Sequence, residues 1–320
     1  MNVNKKANFF FSSLTLENQF QKFDQFLIWF KNKMNEEQFV VNEIPFSKFD
    51  QWSFLEKKEN LGHQSGKFFK IEGIHFKTNF GLNKEWHQPI INQPEIGILG
   101  ILIKEFNGVL YFLMQAKMEP GNINILQLSP TVQATKSNFS RVHKGKLPAY
   151  LDYFIDNSKS EVLIDQLQTE QGGRFLKKRN RNIVVKVSED VELLPDFCWL
   201  TLGEIKKLLD VDNFVNMDAR SVISIIPLID EVLISEIQCH SIEKVKDFFL
   251  DNTNIHSINI DIINSVCSEQ GEYRSKDQII SWYTSMKVNY ELEVKVVPLT
   301  QLRNWEITGN KIFNNNRSKN

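Results

Sequence analysis

The chain has 320 residues, and its 38 basic and 39 acidic side chains leave a formal net charge of -1. Hydrophobic residues make up 42% and charged residues 24%, an ordinary globular composition that excludes a disordered chain. The even charge balance argues against a general nucleic-acid binder, which needs a basic excess to neutralise phosphates. No apolar run approaches the roughly 20 residues of a membrane helix.

Taken in chain order, Lys5 and Lys6 precede Phe9, Phe10 and Phe11, but Ser12, Ser13 and Thr15 break the apolar stretch at once. This reads as mature sequence rather than a secretion signal. Cys198, Cys239 and Cys267 show no paired spacing, so reduced, buried thiols are expected in a soluble cytoplasmic protein. Phenylalanine is over-used, with 25 copies, many of them before residue 80. Within residues 16–34, Phe20, Phe23, Phe26, Leu27 and Phe30 recur at spacings of three and four and predict one amphipathic helix.

The chain also repeats itself. Asp24-Gln25, Trp29, Pro45 and Trp52 recur as Asp277-Gln278, Trp282, Pro298 and Trp305, each pair 253 positions apart without a gap. The pattern predicts a helix, a short strand ending near the proline, and a second short helix carrying Trp52 or Trp305. The first copy is followed by a long structured stretch and the second only by residues 306–320, which favours a truncated second repeat over a retained C-terminal arm. Residues 277–307 are expected to pack on the first unit or on a neighbouring chain, with residues 308–320 disordered.

Between residues 67 and 228 the pattern turns to strands. Two apolar runs, residues 96–104 and 109–115, meet at Asn107-Gly108, a strong hairpin signal. Residues 125–128, 161–164 and 183–187 are further strand candidates; residues 150–155, 201–209 and 219–226 look helical. The expected fold class is α+β, with a mixed, mainly antiparallel sheet and flanking helices. The expected organisation is an N-terminal arm over residues 1–66, a core over 67–252, and a linker plus the start of a second repeat over 253–320. No Gly-x-Gly-x-x-Gly follows a strand and no Gly-Lys-Ser/Thr loop is present, which disfavours dinucleotide and P-loop functions.

Three polar blocks stand out: residues 115–122 with Gln115, Lys117, Glu119 and Asn122; residues 127–143 with Gln127, Thr131, Gln133, Asn138, Arg141 and His143; and residues 170–182 with Arg174, Arg179 and Arg181. They read either as solvated loops or as a polar pocket for a polyhydroxylated, anionic ligand. His240 beside Cys239 lacks further ligands at suitable spacing, so no structural metal is expected.

At these residues the sequence resembles the NDP-hexose 2,3-dehydratases. The resemblance is carried by WHQPIINQPEIGILG (residues 86–100), QAKMEPGNINILQLSPTVQATKSNFSRVH (115–143), KRNRN (178–182), FCWLTLG (197–203) and VNMDARS (215–221). It implies two tandem repeats with a fold like that of Nudix hydrolases, here one complete and a second only begun. The Nudix box itself has no match, which disfavours pyrophosphate hydrolysis. The resemblance implies dTDP-4-keto-6-deoxyglucose as substrate and loss of water across C2 and C3 through a C4 enolate, giving a 3,4-diketo sugar without a redox cofactor. It also implies a downstream 3-ketoreductase, and either a homodimer or a partner carrying the missing repeat.

Such chemistry needs a base, an acid, a donor facing the C4 oxygen, cations for the diphosphate and a flat apolar surface for thymine. Glu119 is the first candidate for acid/base work because it sits in a Pro-Gly turn after a buried strand. His143 has an imidazole suited to proton transfer, and Lys117 could polarise the ketone or hold a phosphate. Gln115, Asn122, Gln127, Thr131, Gln133, Asn138 and Arg141 are candidate substrate contacts. Arg174, Arg179 and Arg181 are candidates for the diphosphate and Trp86 for the apolar surface, although Trp86 and Trp199 also suit a core. Competing readings are a non-catalytic nucleotide-sugar-binding remnant, one half of a split dehydratase, and an isomerase using the same enolate.

Overall fold

Asn107 and Gly108 both take positive φ, 50° and 81°, the backbone of a tight two-residue hairpin turn. This computed structural model describes residues 9–36, 39–55, 59–135, 147–227 and 274–315. The chain begins with α1 (Phe9–Leu14), α2 (Phe23–Glu36), β1 (Trp52–Leu55), β2 (Asn60–His63), β3 (Lys70–Thr78) and β4 (Glu85–Asn92). The hairpin strands are β5 (Gly97–Phe106) and β6 (Val109–Met118), followed by β7 (Leu126–Ser129), β8 (Val132–Ala134) and α3 (Asp152–Ile155). Next come β9 (Glu161–Thr169), β10 (Arg179–Val187), β11 (Phe197–Thr201), α4 (Leu202–Leu209) and α5 (Met217–Ser224). The described chain closes with α6 (Lys276–Asn289), β12 (Leu292–Val297), β13 (Trp305–Ile307) and β14 (Ile312–Asn314). Among the described residues no helix is long and apolar enough to cross a membrane.

These elements form two compact units, each assembled from separated segments. The first holds residues 1–40, 97–167 and 181–271; the second holds 41–96, 168–180 and 272–320. The fold class is α+β, and the β5–β6, β6–β11, β6–β7, β5–β8, β2–β3, β3–β4 and β3–β12 ladders are all antiparallel.

In the first unit a seven-stranded sheet runs in the order β11-β6-β5-β10-β9, with β7 on β6 and β8 on β5. At its centre both faces are buried, which is why β5 and β6 read as unbroken apolar runs rather than alternating ones, whereas the edge strand β9 is largely exposed. On one face Ile101, Ile103, Phe112, Met114 and Leu200 pack against Phe26 and Phe30 of α2, Ile205 and Leu208 of α4, and Val222 of α5. On the other, Leu102, Leu113, Val185 and Trp199 pack with Tyr150, Leu151 and Phe154 around α3. Cys198 is a buried free thiol on β11, and burial pushes its pKa well up; Cys239 and Cys267 lie outside the described residues.

The expected single helix over residues 16–34 is instead α2 preceded by an irregular stretch that bends at residues 19–21. Asn18 Nδ2 donates to the Trp199 carbonyl at 2.8 Å and to Glu204 at 2.9 Å, and Phe20 meets Phe106 and Tyr111 edge-on. These tertiary bonds hold the backbone out of a helix before residue 23. Thr201 and Glu204 close a capping box on α4, with Thr201 Oγ1 accepting from Glu204 N–H and Glu204 accepting from Thr201 N–H. The FCWLTLG run is thus a strand, a cap and a crossing point: a Cβ at Gly203 would come within 2.4 Å of the Thr15 carbonyl oxygen.

In the second unit a five-stranded sheet runs β1-β2-β3-β12, with β4 on the other edge of β3. Leu61, Leu299 and Leu302 are buried with Phe46, Phe49, Phe54, Ile71, Val297, Trp305, Ile307 and Ile312 around them. The sequence repeat is visible in this backbone. α2 and α6 match end to end at the 253-residue offset, as do the 3-10 turns Phe46–Lys48 and Leu299–Gln301. The repeated Asp-Gln has a local cause: Gln25 Oε1 accepts from Lys22 N–H at 3.2 Å and Gln278 Oε1 from Ser275 N–H at 3.0 Å, so each tethers the start of its helix. Gln51 and Asn304 share positive φ, 57° and 63°. Trp52 and Trp305 then open β1 and β13, not the short helix expected for them.

The tail differs from expectation in part. Residues 292–297 pair with β3 and Leu299 and Leu302 are buried, but Ile279, Trp282 and Tyr283 stand half exposed on α6. Of residues 308–320, expected to be disordered, residues 312–314 form the second strand of the β13–β14 hairpin, and residues 316–320 lie outside the described residues.

Gly203→Ala is expected to lower stability by about 1–3 kcal/mol through backbone overpacking. Thr201→Ala should cost about 1 kcal/mol through the lost cap. Denaturant midpoints of the two variants against the parent check both.

Candidate functional site

The β5–β6 register leaves the far end of β6 free to pair elsewhere. Gln115 lies opposite Ser129 and Lys117 opposite Gln127 on β7, so these four side chains share one sheet face. Glu119 follows in the Pro120-Gly121 turn. Its carboxylate Oε1 lies 3.0 Å from Lys117 Nζ and accepts from Gln133 Nε2 at 3.0 Å, while Lys117 Nζ also donates to Gln133 Oε1 at 3.0 Å. The three side chains form a closed triangle. Lys117 and Glu119 are each 27% exposed, neither sealed in the core nor out in bulk water.

Asn216 extends the cluster from the opposite side of the chain. As N-cap of α5 its side chain accepts from Ala219 N–H at 2.8 Å. The amide nitrogen donates to Ser129 Oγ at 2.8 Å and reaches Gln133 Oε1 at 3.4 Å. One residue therefore caps a helix and orients the glutamine that holds the ion pair. Chemically, the group offers a carboxylate for proton transfer, an ammonium to meet developing negative charge, and amides to position hydroxyls.

The other sequence candidates fall into three groups. Gln127 donates to Asn124 Oδ1 at 3.1 Å, and Asn122 donates back to the Ile125 carbonyl at 3.0 Å within its own turn. Thr131 is 2% exposed; its hydroxyl donates to the Leu113 carbonyl and accepts from Leu102 N–H, so it ties β5 and β6 together. Arg181 is held by both oxygens of Asp165 at 2.7 and 2.8 Å, which keeps its guanidinium charged and occupied. Arg174 and Arg179 belong to the second unit and are exposed, as is the Gln171-Gly172-Gly173 turn before them. Asn138, Arg141 and His143 lie outside the described residues.

The second unit carries its own features. Trp86 stacks on Phe76 with centroids 3.8 Å apart and donates its Nε1 to Gln88 at 3.0 Å. Both rings line an apolar groove of about 830 Å³ with Trp282, Tyr283, Tyr290 and Leu292. On the other face of β3 and β4, His75, Glu85 and His87 bring ligand-type atoms within 4.8 Å of one another. Three ligands of that kind suit a divalent metal. Here the imidazoles stack with planes only 14° apart, Glu85 already bonds His75 Nε2 at 2.6 Å, and Arg303 lies 3.9 Å from Glu85. Lys77, Lys295 and Glu293 share the same face by register, and Lys295 is paired with Glu293 at 2.6 Å.

The NDP-hexose 2,3-dehydratase family model matches residues 23–226. The chain belongs to that family. A dTDP-4-dehydro-6-deoxy-alpha-D-glucopyranose 2,3-dehydratase from Saccharopolyspora spinosa is 44% identical over 309 residues, covering 97% of this chain and 60% of the relative. Enzymes of the same name from Amycolatopsis orientalis and Streptomyces violaceoruber are 40% and 37% identical, covering 87% and 88% of this chain and 52% and 57% of theirs. The chain thus spans 52–60% of the length of these curated relatives. Among solved structures, an ADP compounds hydrolase aligns with 60% of this chain and 98% of its own, at TM-score 0.34 and 10% identity, too slight a likeness to carry an argument.

For this NDP-hexose 2,3-dehydratase family member, sequence reasoning overlooked Asn216 and Ser129. A legible signal existed: Asn216 stands just ahead of an amphipathic run, the position of an N-cap.

Asn216→Ala is expected to cost about 1–2 kcal/mol, since it uncaps α5 and strips bonds from Ser129 and Gln133. Asn216→Asp should recover the cap but not the bond to Gln133; chemical denaturation of the pair separates the two contributions. A second prediction concerns His87, whose ring nitrogens have no hydrogen-bond partner among the described residues. Burial, then the nearby charges of His75 and Arg303, lower its pKa below the ordinary 6.5. A depressed folded pKa means that the unfolded chain takes the proton first. Stability is then fully present above about pH 6.5 and falls as the pH drops toward the folded value. His87→Gln should lessen the loss of stability between pH 7 and pH 5.5, read from denaturation midpoints.

Proposed function

We propose that the chain acts as a nucleotide-sugar 2,3-dehydratase, a carbon–oxygen hydro-lyase, on dTDP-4-keto-6-deoxyglucose. The observation that carries this reading is the Lys117–Glu119–Gln133 triangle, lying within the family match at the edge of a rigid sheet. The names of the three relatives support the choice of substrate.

In this reading the C4 ketone acidifies the C3 hydrogen, and the Glu119 carboxylate removes it to leave an enolate. Lys117 meets the negative charge on the C4 oxygen, exchanging its contact with Glu119 for one with substrate. The enolate re-forms the ketone while a C2–C3 double bond forms and the C2 hydroxyl leaves, taking a proton to depart as water. The resulting C3 enol gains a proton at C2 and becomes the 3,4-diketo sugar. No oxidation state of a cofactor changes along this route. His143 is proposed as the acid at C2 on its imidazole chemistry alone. Gln115 and Gln127 face the same side as Lys117 and suit sugar hydroxyls, with Asn138 and Arg141 as further contacts proposed from sequence. Arg174 and Arg179 for the diphosphate and Trp86 for thymine are proposed from the sequence alone.

The product is a reactive diketone, which calls for a 3-ketoreductase to consume it. We place the reaction in the cytoplasm, with no nucleic-acid or membrane partner, and with a homodimer or a partner bearing a second repeat. A second reading is that these residues hold the nucleotide sugar without turning it over by themselves, since the relatives named for the activity extend well beyond the span they share with this chain.

Incubation of purified protein with dTDP-4-keto-6-deoxyglucose and a 3-ketoreductase tests both. Turnover is expected, with Glu119→Gln slower by about 10²–10⁴-fold. Unchanged substrate from folded protein that binds it by calorimetry would support the second reading; neither turnover nor binding would overturn both.

A further inference from the structure

One polar ring in the second unit has nothing to bond. His87 is half-buried on β4, and both of its ring nitrogens are sealed from solvent with no hydrogen-bond partner among the described residues. An imidazole so placed gives up its hydration without a return, and such a group calls for an ion or a water. The neighbouring Trp305 does not serve it, since its Nε1 donates to the His87 backbone carbonyl at 2.7 Å and leaves the ring alone.

The register brings two more ligand groups beside it. His75 on β3 lies directly opposite His87, and Glu85 stands two residues before His87 on β4, so all three side chains leave the sheet on one face. Their ligand-type atoms already lie within 4.8 Å of one another. A tetrahedral ion with bonds of about 2.0–2.1 Å holds its ligand atoms about 3.3 Å apart. Turning the imidazoles about χ2, a soft torsion, and opening the 2.6 Å bond between His75 and Glu85 supply the difference. An ion enters from the side of Glu85, whose side chain is 42% exposed. The nearby cations leave room for it: Lys295 is held by Glu293, and Lys77 and Arg303 are exposed, long side chains that can turn into water.

We propose that His75, Glu85 and His87 form a binding site for one divalent transition-metal ion, with a fourth position open to water. Two imidazoles and one carboxylate select zinc, cobalt or nickel over magnesium and calcium, which take oxygen ligands. The bound ion ties β3 to β4 and gives His87 the partner that it lacks. The inference does not rest on the dehydratase reading, because all three ligands belong to the second unit and the Lys117–Glu119–Gln133 triangle to the first. Its test therefore reads metal binding and stability rather than turnover.

Zinc is titrated into the full, metal-stripped chain by calorimetry at about pH 7.5, where an ordinary imidazole is neutral, and cobalt is followed by visible absorption. One ion per chain is expected, with the absorption of four-coordinate cobalt and no thiolate charge-transfer band, which separates this site from one built on Cys239 or Cys267. His87→Ala and Glu85→Gln should each weaken binding by about tenfold or more, at least what losing a ligand's own hydrogen-bond partner costs a metal site. Zinc should raise the melting temperature of the parent and of neither variant. His63→Ala, which removes a histidine outside the cluster, should bind as the parent does. Glu85 faces solvent, so Glu85→Gln keeps the fold and decides the matter even where His87→Ala does not. The proposal is overturned if the folded chain binds no zinc, if binding survives Glu85→Gln unchanged, or if the only cobalt bound carries the thiolate band.

Discussion

The register of the β5–β6 hairpin is the constraint on which the rest of the first unit depends. Asn107 and Gly108 fix it, and alternation then sends Phe112 and Met114 to one buried face and Tyr111 and Leu113 to the other. A slip of one residue would exchange these faces and turn Lys117 away from Gln133. The same register carries β6 beyond β5, where its free edge takes β7. The polar triangle is therefore a product of strand length: it sits where the hairpin has stopped burying side chains on both sides.

The sequence showed some of this clearly. Asn-Gly between apolar runs specified the hairpin because few residue pairs tolerate two positive φ angles in succession. The 253-residue repeat was legible because tryptophan and proline are rare enough to align without a gap. Other features were hidden for physical reasons. The turns before Trp52 and Trp305 depend on Gln51 and Asn304 at positive φ, and neither residue type announces that geometry as glycine does. The long helix expected over residues 16–34 was stopped by Asn18, whose partners lie far along the chain.

The site was legible as a neighbourhood and not as a set of roles. Glu119, Lys117 and Gln133 do come together, but Thr131 and Arg181 came from the same polar blocks and are used to hold strands and loops in place. Polar composition alone cannot separate these uses, since a threonine that bridges two strands and one that binds a sugar hydroxyl differ only in what faces them. Asn216 shows the converse. It looks like a helix cap, and it is one, yet the same amide reaches Gln133.

The crossed bonds from Phe46 to Gly309 and from Leu299 to Glu59 have an evolutionary consequence. Once a duplicated segment satisfies its backbone donors in the other copy, neither copy drifts alone. An insertion or deletion in one hairpin loop withdraws an acceptor from a turn encoded far away, so compensating changes must arise in the distant copy. Such coupling ties together two distant segments of the chain, phenylalanine-rich in the first copy and plainer in the second.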